Sequence, residues 1–178
     1  MIEQLKSDFN KMTENLKFSE RNIELRKKNL INFIDKGFPN KRIEDWKFSD
    51  LNQIISSNIE NLSFYDDKIY EPKEQTSLIN KFEHNKIIFI NGVISKVDIK
   101  YEDDTKVLIN NDLDLSNNTD EINPLVSLNH ALAAAHIGII VKENYSLNKP
   151  LILYNITTDD VNSIALNLRT DIKLEKNS

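Results

Sequence analysis

Apolar residues at steps of three and four dominate the first fifty positions. Ile2, Leu5, Phe9, Met12 and Leu16 fall on one face of a helix. Ser19 is placed to cap a second helix, whose apolar residues are Ile23, Leu30, Ile31, Phe33 and Ile34. Gly37 follows that helix, where a left-handed backbone costs glycine nothing, and Phe38 is expected to fold back on Phe33. Pro39 then blocks continuation. Ser49 or Asp50 can cap a short third helix carrying Leu51, Ile54 and Ile55.

Beyond residue 60 the period changes. Residues 61–75 show no repeat and contain Asp66-Asp67 and Pro72, which predicts a loop, and Ser77 to Glu83 reads as a short helix. In "KIIFINGVISKVDI", two β-branched runs flank Asn91-Gly92, the pair that suits a turn with positive φ at both central residues. Residues 102–123 are acidic and Asn-rich and read as a connector, interrupted by the apolar run Val107 to Ile109. "PLVSLNHALAAAH" predicts a helix opened by Asn123-Pro124, with Leu125, Leu128, Leu132 and Ala135 on one side. The strands "IGIIV" and "LILYNI" follow, then a final strand of about eleven residues. In it Ile164, Leu166, Leu168, Ile172 and Leu174 point one way; Asn167, Arg169, Asp171, Lys173 and Glu175 point the other. Such a strand needs a sheet on its apolar face, so the third segment is expected to begin a larger β structure. That structure would continue in a longer protein or be completed by another chain. The fold class is α+β, in segments 1–60 (helical), 61–123 (a small unit with a hairpin near 86–99 and the acidic connector) and 124–178.

Composition narrows the function classes. At 39% hydrophobic, a chain of 178 residues can bury a core. Net charge is −5, and it is unevenly spread: residues 1–50 carry eleven Lys/Arg against nine Asp/Glu, the remainder twelve against nineteen. The densest basic cluster, Arg26-Lys27-Lys28, is flanked by Glu24 and reads as a solvated helix face, so nucleic acid is not an expected partner. There is no cysteine, which removes disulfides, thiolate catalysis and cysteine-ligated metals from this chain. Met1 to Lys6 is polar and no apolar run approaches membrane-spanning length, so no membrane partner is expected.

Candidate chemistry is sparse. On one helix His130 and His136 would stand about 120° apart and could not chelate a shared metal. His84 has no acidic or hydroxyl partner at motif spacing. Asp112, Asp114 and Asp120 suggest a calcium loop, but Asn117 and Asn123 stand where such a loop needs glycine and glutamate. Gly37, Gly92 and Gly138 are too far apart for a phosphate loop. The most unusual stretch is "GFPNKRIEDWKFSDL", which holds the only tryptophan. Trp46 and Phe48 are expected to anchor a joint between helices, with Lys47 and the carboxylates at its rim; no general base faces a nucleophile there.

That stretch resembles the N-terminal signature of the SufB/SufD family of SUF iron–sulfur cluster assembly proteins, on the SufD side, through Gly37, Pro39, Glu44, Trp46, Lys47, Phe48, Ser49 and Leu51. Two more regions agree in order: "IIFINGVIS", with Asn91 and Gly92, and "SLNHALAAAHIGIIVKENYSLNKPLILYNIT", with Asn129, Ala131 and Pro150. The resemblance implies a helical N-terminal region followed by the first strands of a right-handed parallel β-helix. It implies a scaffold rather than an enzyme, located in the cytoplasm or a plastid-type compartment. The implied partners are a SufB-like paralogue, met through the β-helices, and a SufC-like ATPase, met through C-terminal helical domains. The cluster is handled by the full complex near the SufB–SufD interface, and no cofactor is implied for this portion. The family's functional histidine lies in a distal region, so its role does not pass to His84, His130 or His136. Family members run to more than twice this length, and the chain reads as an N-terminal portion. A competing expectation is a stand-alone interaction module that dimerises through its last strand.

Overall fold

The computed structural model describes residues 1–67, 78–110, 123–159 and 161–178. Helix α1 spans Ile2–Asn15 and α2 spans Glu20–Lys36; the Ser19 hydroxyl accepts the Asn22 N–H as an N-cap. A 3₁₀ turn, Glu44–Trp46, precedes α3, Leu51–Asn58, which is capped by Asp50 rather than Ser49. Helix α4 runs Pro124–Leu132, with Pro124 in the first turn and the Asn123 side chain accepting the Leu125 N–H. The strands are β1 Asn85–Ile90, β2 Val93–Asp98, β3 Val107–Asn110, β4 Ala135–Val141, β5 Leu151–Ile156 and β6 Leu168–Leu174. The protein is therefore mixed α+β, with four helices and two three-stranded sheets among the described residues.

The chain divides into two compact units, each built from separate stretches rather than from the contiguous segments 1–60, 61–123 and 124–178. The first unit takes Met1–Asp67, 123–134 and Ser163–Asn167, and so holds all four helices. Its core joins Leu5, Phe9 and Met12 of α1 to Leu30 and Phe33 of α2 and to Leu128, Ala131 and Leu132 of α4. Phe64 and Tyr65 are also buried, so the segment predicted as loop supplies core here. Buried Asp8 holds it down, accepting the Phe64 N–H at 2.7 Å and the Ser63 hydroxyl at 3.2 Å.

Two sequence expectations fail in this unit. Ile31 is 59% exposed, whereas Arg26, expected on a solvated face, is 1% exposed. The reason is that α2 presents a polar stripe, Asn22, Arg26 and Asn29, to the interior. Arg26 donates through Nε to Asn22 Oδ1 and through a terminal nitrogen to the Ala131 carbonyl on α4, and its guanidinium lies 4.0 Å from the Phe18 ring centroid. Asn32 adds a bond to the Ser127 hydroxyl of α4 at 2.6 Å.

The second unit holds both sheets. In the first, β1 pairs antiparallel with β2 and parallel with β5; in the second, β4 pairs antiparallel with β3 and parallel with β6. The hairpin forms as expected, with Asn91 at φ 50° and Gly92 at φ 79°. Ile87 and Phe89 of β1 and Val107, Ile137 and Ile139 from the other sheet bury into one shared core.

Other expectations are corrected. Helix α4 ends at Leu132, and Ala135 and His136 lie in β4, because Ala133 turns extended (ψ 99°) and the apolar run after it is paired on both sides. Val107 to Ile109 is not an interruption in a connector but part of β3, held by β4. Residues 78–83 are not helical. The final strand is seven residues long, not eleven, and Ile164 belongs instead to an isolated parallel bridge with Ser63. Pro72, Asp112, Asp114 and Asp120 lie outside the described residues, as does most of the connector.

Candidate functional site

The signature stretch begins where α2 stops. The Gly37 N–H donates to the Phe33 carbonyl at 2.7 Å, and Gly37 adopts φ 70°, ψ −171°, an extended positive-φ region open essentially to glycine alone. This differs from the expected left-handed cap but needs glycine as strictly. Phe38 folds back as expected, its ring edge-on to Phe33 with centroids 5.1 Å apart. Pro39 is fully buried, and its carbonyl accepts the Leu51 N–H, which ties the start of α3 to the end of α2. The joint is therefore anchored by Phe38, Pro39 and Leu51. Phe48 is 89% exposed and Trp46 only half-buried, so the expected Trp–Phe wedge is not formed. The reason is geometric: the 3₁₀ turn at Glu44–Trp46 carries Phe48 outward, beside Lys47, which itself bonds Glu44 at 2.7 Å.

The remaining signature residues sit at chain crossings. Asn91 fastens the hairpin turn to the end of β5. Its N–H donates to the Ile156 carbonyl, its side-chain amide donates to the Thr158 hydroxyl, and its Oδ1 accepts the Thr158 N–H. At the opposite end of β1, Asn85 donates from its backbone to the Pro150 carbonyl and from its side chain to Glu102 and the Lys149 carbonyl. Ala131 lends its carbonyl to Arg26, and the Asn129 carbonyl takes the last helical bond of α4.

Glu102 is the hub of that second crossing. It accepts from the Asn85 amide, the Tyr145 hydroxyl and the backbone N–H groups of Asn148 and Lys149. Burial pushes its carboxyl up, but these donors outweigh it and hold the pKa below the usual glutamate range. The Asn148 side-chain amide donates to it as well, at 3.3 Å, so Glu102 clasps these segments together.

One cluster was missed from sequence. His136 of β4 lies opposite Arg169 of β6, and Asp171 follows on the same face. His136 Nε2 lies 2.7 Å from Asp171 Oδ2, and Arg169 Nε lies 2.9 Å from the same oxygen. A carboxylate only accepts, so Nε2 carries the hydrogen. His136 Nδ1 and one terminal nitrogen of Arg169 are buried without a hydrogen-bond partner among the described residues. Burial raises the Asp171 carboxyl, while the bonds from His136 and Arg169 outweigh it, and the net position is below the usual range. The arrangement fixes the orientation of the imidazole. The alternation of Arg169, Asp171 and Lys173 was visible in the sequence; the parallel partner that brings His136 to it was not. His84, which has no acidic or hydroxyl partner at motif spacing, lies with Nε2 2.8 Å from the hydroxyl of Tyr154, 70 residues on.

Among the described residues no group of three His, Asp or Glu side chains converges as a metal site, and no helix is long and apolar enough to cross a membrane. A cleft of about 860 Å³ opens in the first unit between the start of α1 and α3, lined among others by Glu3, Gln4, Asn52, Ile55, Ser56 and Glu60. In the second unit β2 and β5 edge one sheet and β3 and β6 the other among the described residues, and Ile172 and Leu174 of β6 are 57% and 64% exposed. No family model and no curated protein matches the chain.

Proposed function

We propose that the chain is a non-catalytic scaffold element similar to the N-terminal part of SufD-like subunits of SUF iron–sulfur cluster assembly. The supporting observation is the path of the second unit. The chain visits one sheet with β1, the other with β4, returns with β5 and crosses again with β6. Each return lays a strand parallel on its predecessor in unbroken register, from Asn85↔Leu151 to Ile90↔Ile156 and from Ala135↔Leu168 to Val141↔Leu174. Stacking of this kind is what the first coils of a parallel β-helix would give. The signature residues Asn91, Gly92 and Pro150 sit at its crossings, and Gly37, Pro39 and Leu51 build the helical joint. In this reading Glu44, Trp46, Lys47 and Phe48 form an exposed surface for a partner rather than a site of chemistry, and the iron–sulfur cluster belongs to the assembled complex.

The test is co-expression of the complete reading frame containing this chain with SufB-like and SufC-like proteins. Stable co-purification with the SufB-like protein is expected. Capture of neither protein would remove the reading.

A further inference from the structure

We propose that Asn91 is a latent modification site, the asparagine of an imide-forming Asn-Gly pair that Thr158 keeps inert in the folded chain. The inference is independent of the scaffold reading. The chain has three glycines, and only Gly92 follows an asparagine. Lacking a Cβ, Gly92 leaves its backbone nitrogen free to approach the side-chain amide before it. In the reaction that nitrogen gives its proton to solvent base and bonds to Asn91 Cγ, and the side-chain nitrogen leaves as ammonia. Water then opens the cyclic imide at one of its two carbonyls, which yields aspartate or isoaspartate at position 91. Nothing is oxidised or reduced, and solvent water is the only co-reactant.

The folded turn opposes each step. Asn91 is 7% exposed and Gly92 is buried beside it, which keeps base away from the attacking N–H. The amide under attack is held at both ends: Nδ2 donates to the Thr158 hydroxyl at 2.8 Å, and Oδ1 accepts the Thr158 N–H at 2.9 Å. Ring closure turns Cγ onto the Gly92 nitrogen, out of the plane that these two bonds fix, and the departing nitrogen must give up Thr158. Reaction therefore waits for the turn to open, and its rate follows the population of the opened state. The product is not neutral for the fold. Isoaspartate adds a methylene to the backbone of a two-residue turn in which both central residues take positive φ, so the hairpin and its bonds to Thr158 no longer fit together. An opening of the joint between β1 and β5 is thus converted into an irreversible chemical change.

Trypsin releases the site in a single peptide, residues 87–96, by cutting after Lys86 and Lys96. Chromatography and mass spectrometry of that peptide follow conversion at mildly alkaline pH, with a digest at zero time as the blank. The folded parent should convert roughly tenfold more slowly than the parent held in urea, since opening breaks both side-chain bonds. Thr158→Ala removes the hydroxyl and should raise the folded-state rate about fivefold, the factor that one lost hydrogen bond carries. Thr158→Ser keeps the hydroxyl and should restore the parent rate. Ile87→Val thins the buried core of the same unit without touching Thr158, and should raise the rate less than Thr158→Ala does. Circular dichroism checks that each variant folds, and the comparison of folded with unfolded parent holds whatever Thr158→Ala does to folding. Equal conversion of folded and unfolded parent, or equal acceleration by Ile87→Val and Thr158→Ala, would overturn the proposal without touching the scaffold reading.

Discussion

Replacing Arg26 by alanine tests the polar seam between α2 and α4. The parent side chain is 1% exposed and donates to Asn22 Oδ1 at 2.6 Å and to the Ala131 carbonyl at 3.1 Å. Alanine leaves both acceptors buried without that donor, at about 1–3 kcal/mol each. It also removes the cation over Phe18, worth about 0.5–2 kcal/mol, and the packing of the aliphatic stem. Against this, a buried charge disappears and its desolvation cost is recovered, which offsets several of those kcal/mol. The net expectation is a loss of about 3 kcal/mol, or a drop of about 2 M in urea midpoint for a unit of this size. The assay is urea unfolding followed by far-UV circular dichroism, which reads the first unit because all four helices belong to it. Arg26→Met, which refills the volume but not the two bonds, should fall between parent and alanine. Neighbouring Lys27 is exposed, and Lys27→Ala should stay within about 0.5 kcal/mol of the parent. If Arg26→Ala were no more costly than Lys27→Ala, the seam would not be holding these helices together.

Gly37→Ala should cost about 1–3 kcal/mol in the same assay, although nothing lies within 4 Å of the added methyl, because the backbone at φ 70°, ψ −171° excludes a side chain. Asn91→Ala removes two side-chain bonds to Thr158 and a residue suited to positive φ; a loss of about 2–3 kcal/mol is expected, read as faster amide exchange in β1 and β5. Glu102 has its folded-state pKa lowered, so its stabilisation is present above the unfolded value, near 4.3, and is lost as pH falls through the folded value. Glu102→Gln should therefore be less stable than the parent at neutral pH, with the gap closing in acid; a gap that is constant with pH would mean that the clasp does not depend on charge.

What sequence reasoning found and missed divides by distance along the chain. The Ser19 cap, the Gly37 stop, the Phe33–Phe38 contact and the Asn91-Gly92 turn each involve residues within a few positions of one another, so local stereochemistry decides them. Arg26 was misread because its partner carbonyl, Ala131, is 105 residues away; a cation beside two lysines looks solvated until α4 is laid against it. Phe48 was misread in the opposite sense. An aromatic beside the only tryptophan suggests a wedge, but the 3₁₀ turn sets the direction of the side chain, and no periodicity reports such a turn.

The parallel ladders carry the same lesson into function. β4 and β5 were legible as strands, since their apolar runs are short and β-branched, yet nothing local says that β5 lies on β1 or β6 on β4. Those pairings place Asn91 against Thr158, 67 residues on, and His136 against Asp171, 35 residues on. The polar face of β6 then acquires two distinct roles. Its first half, Arg169 and Asp171, turns inward to fix a buried histidine, while Lys173 remains exposed.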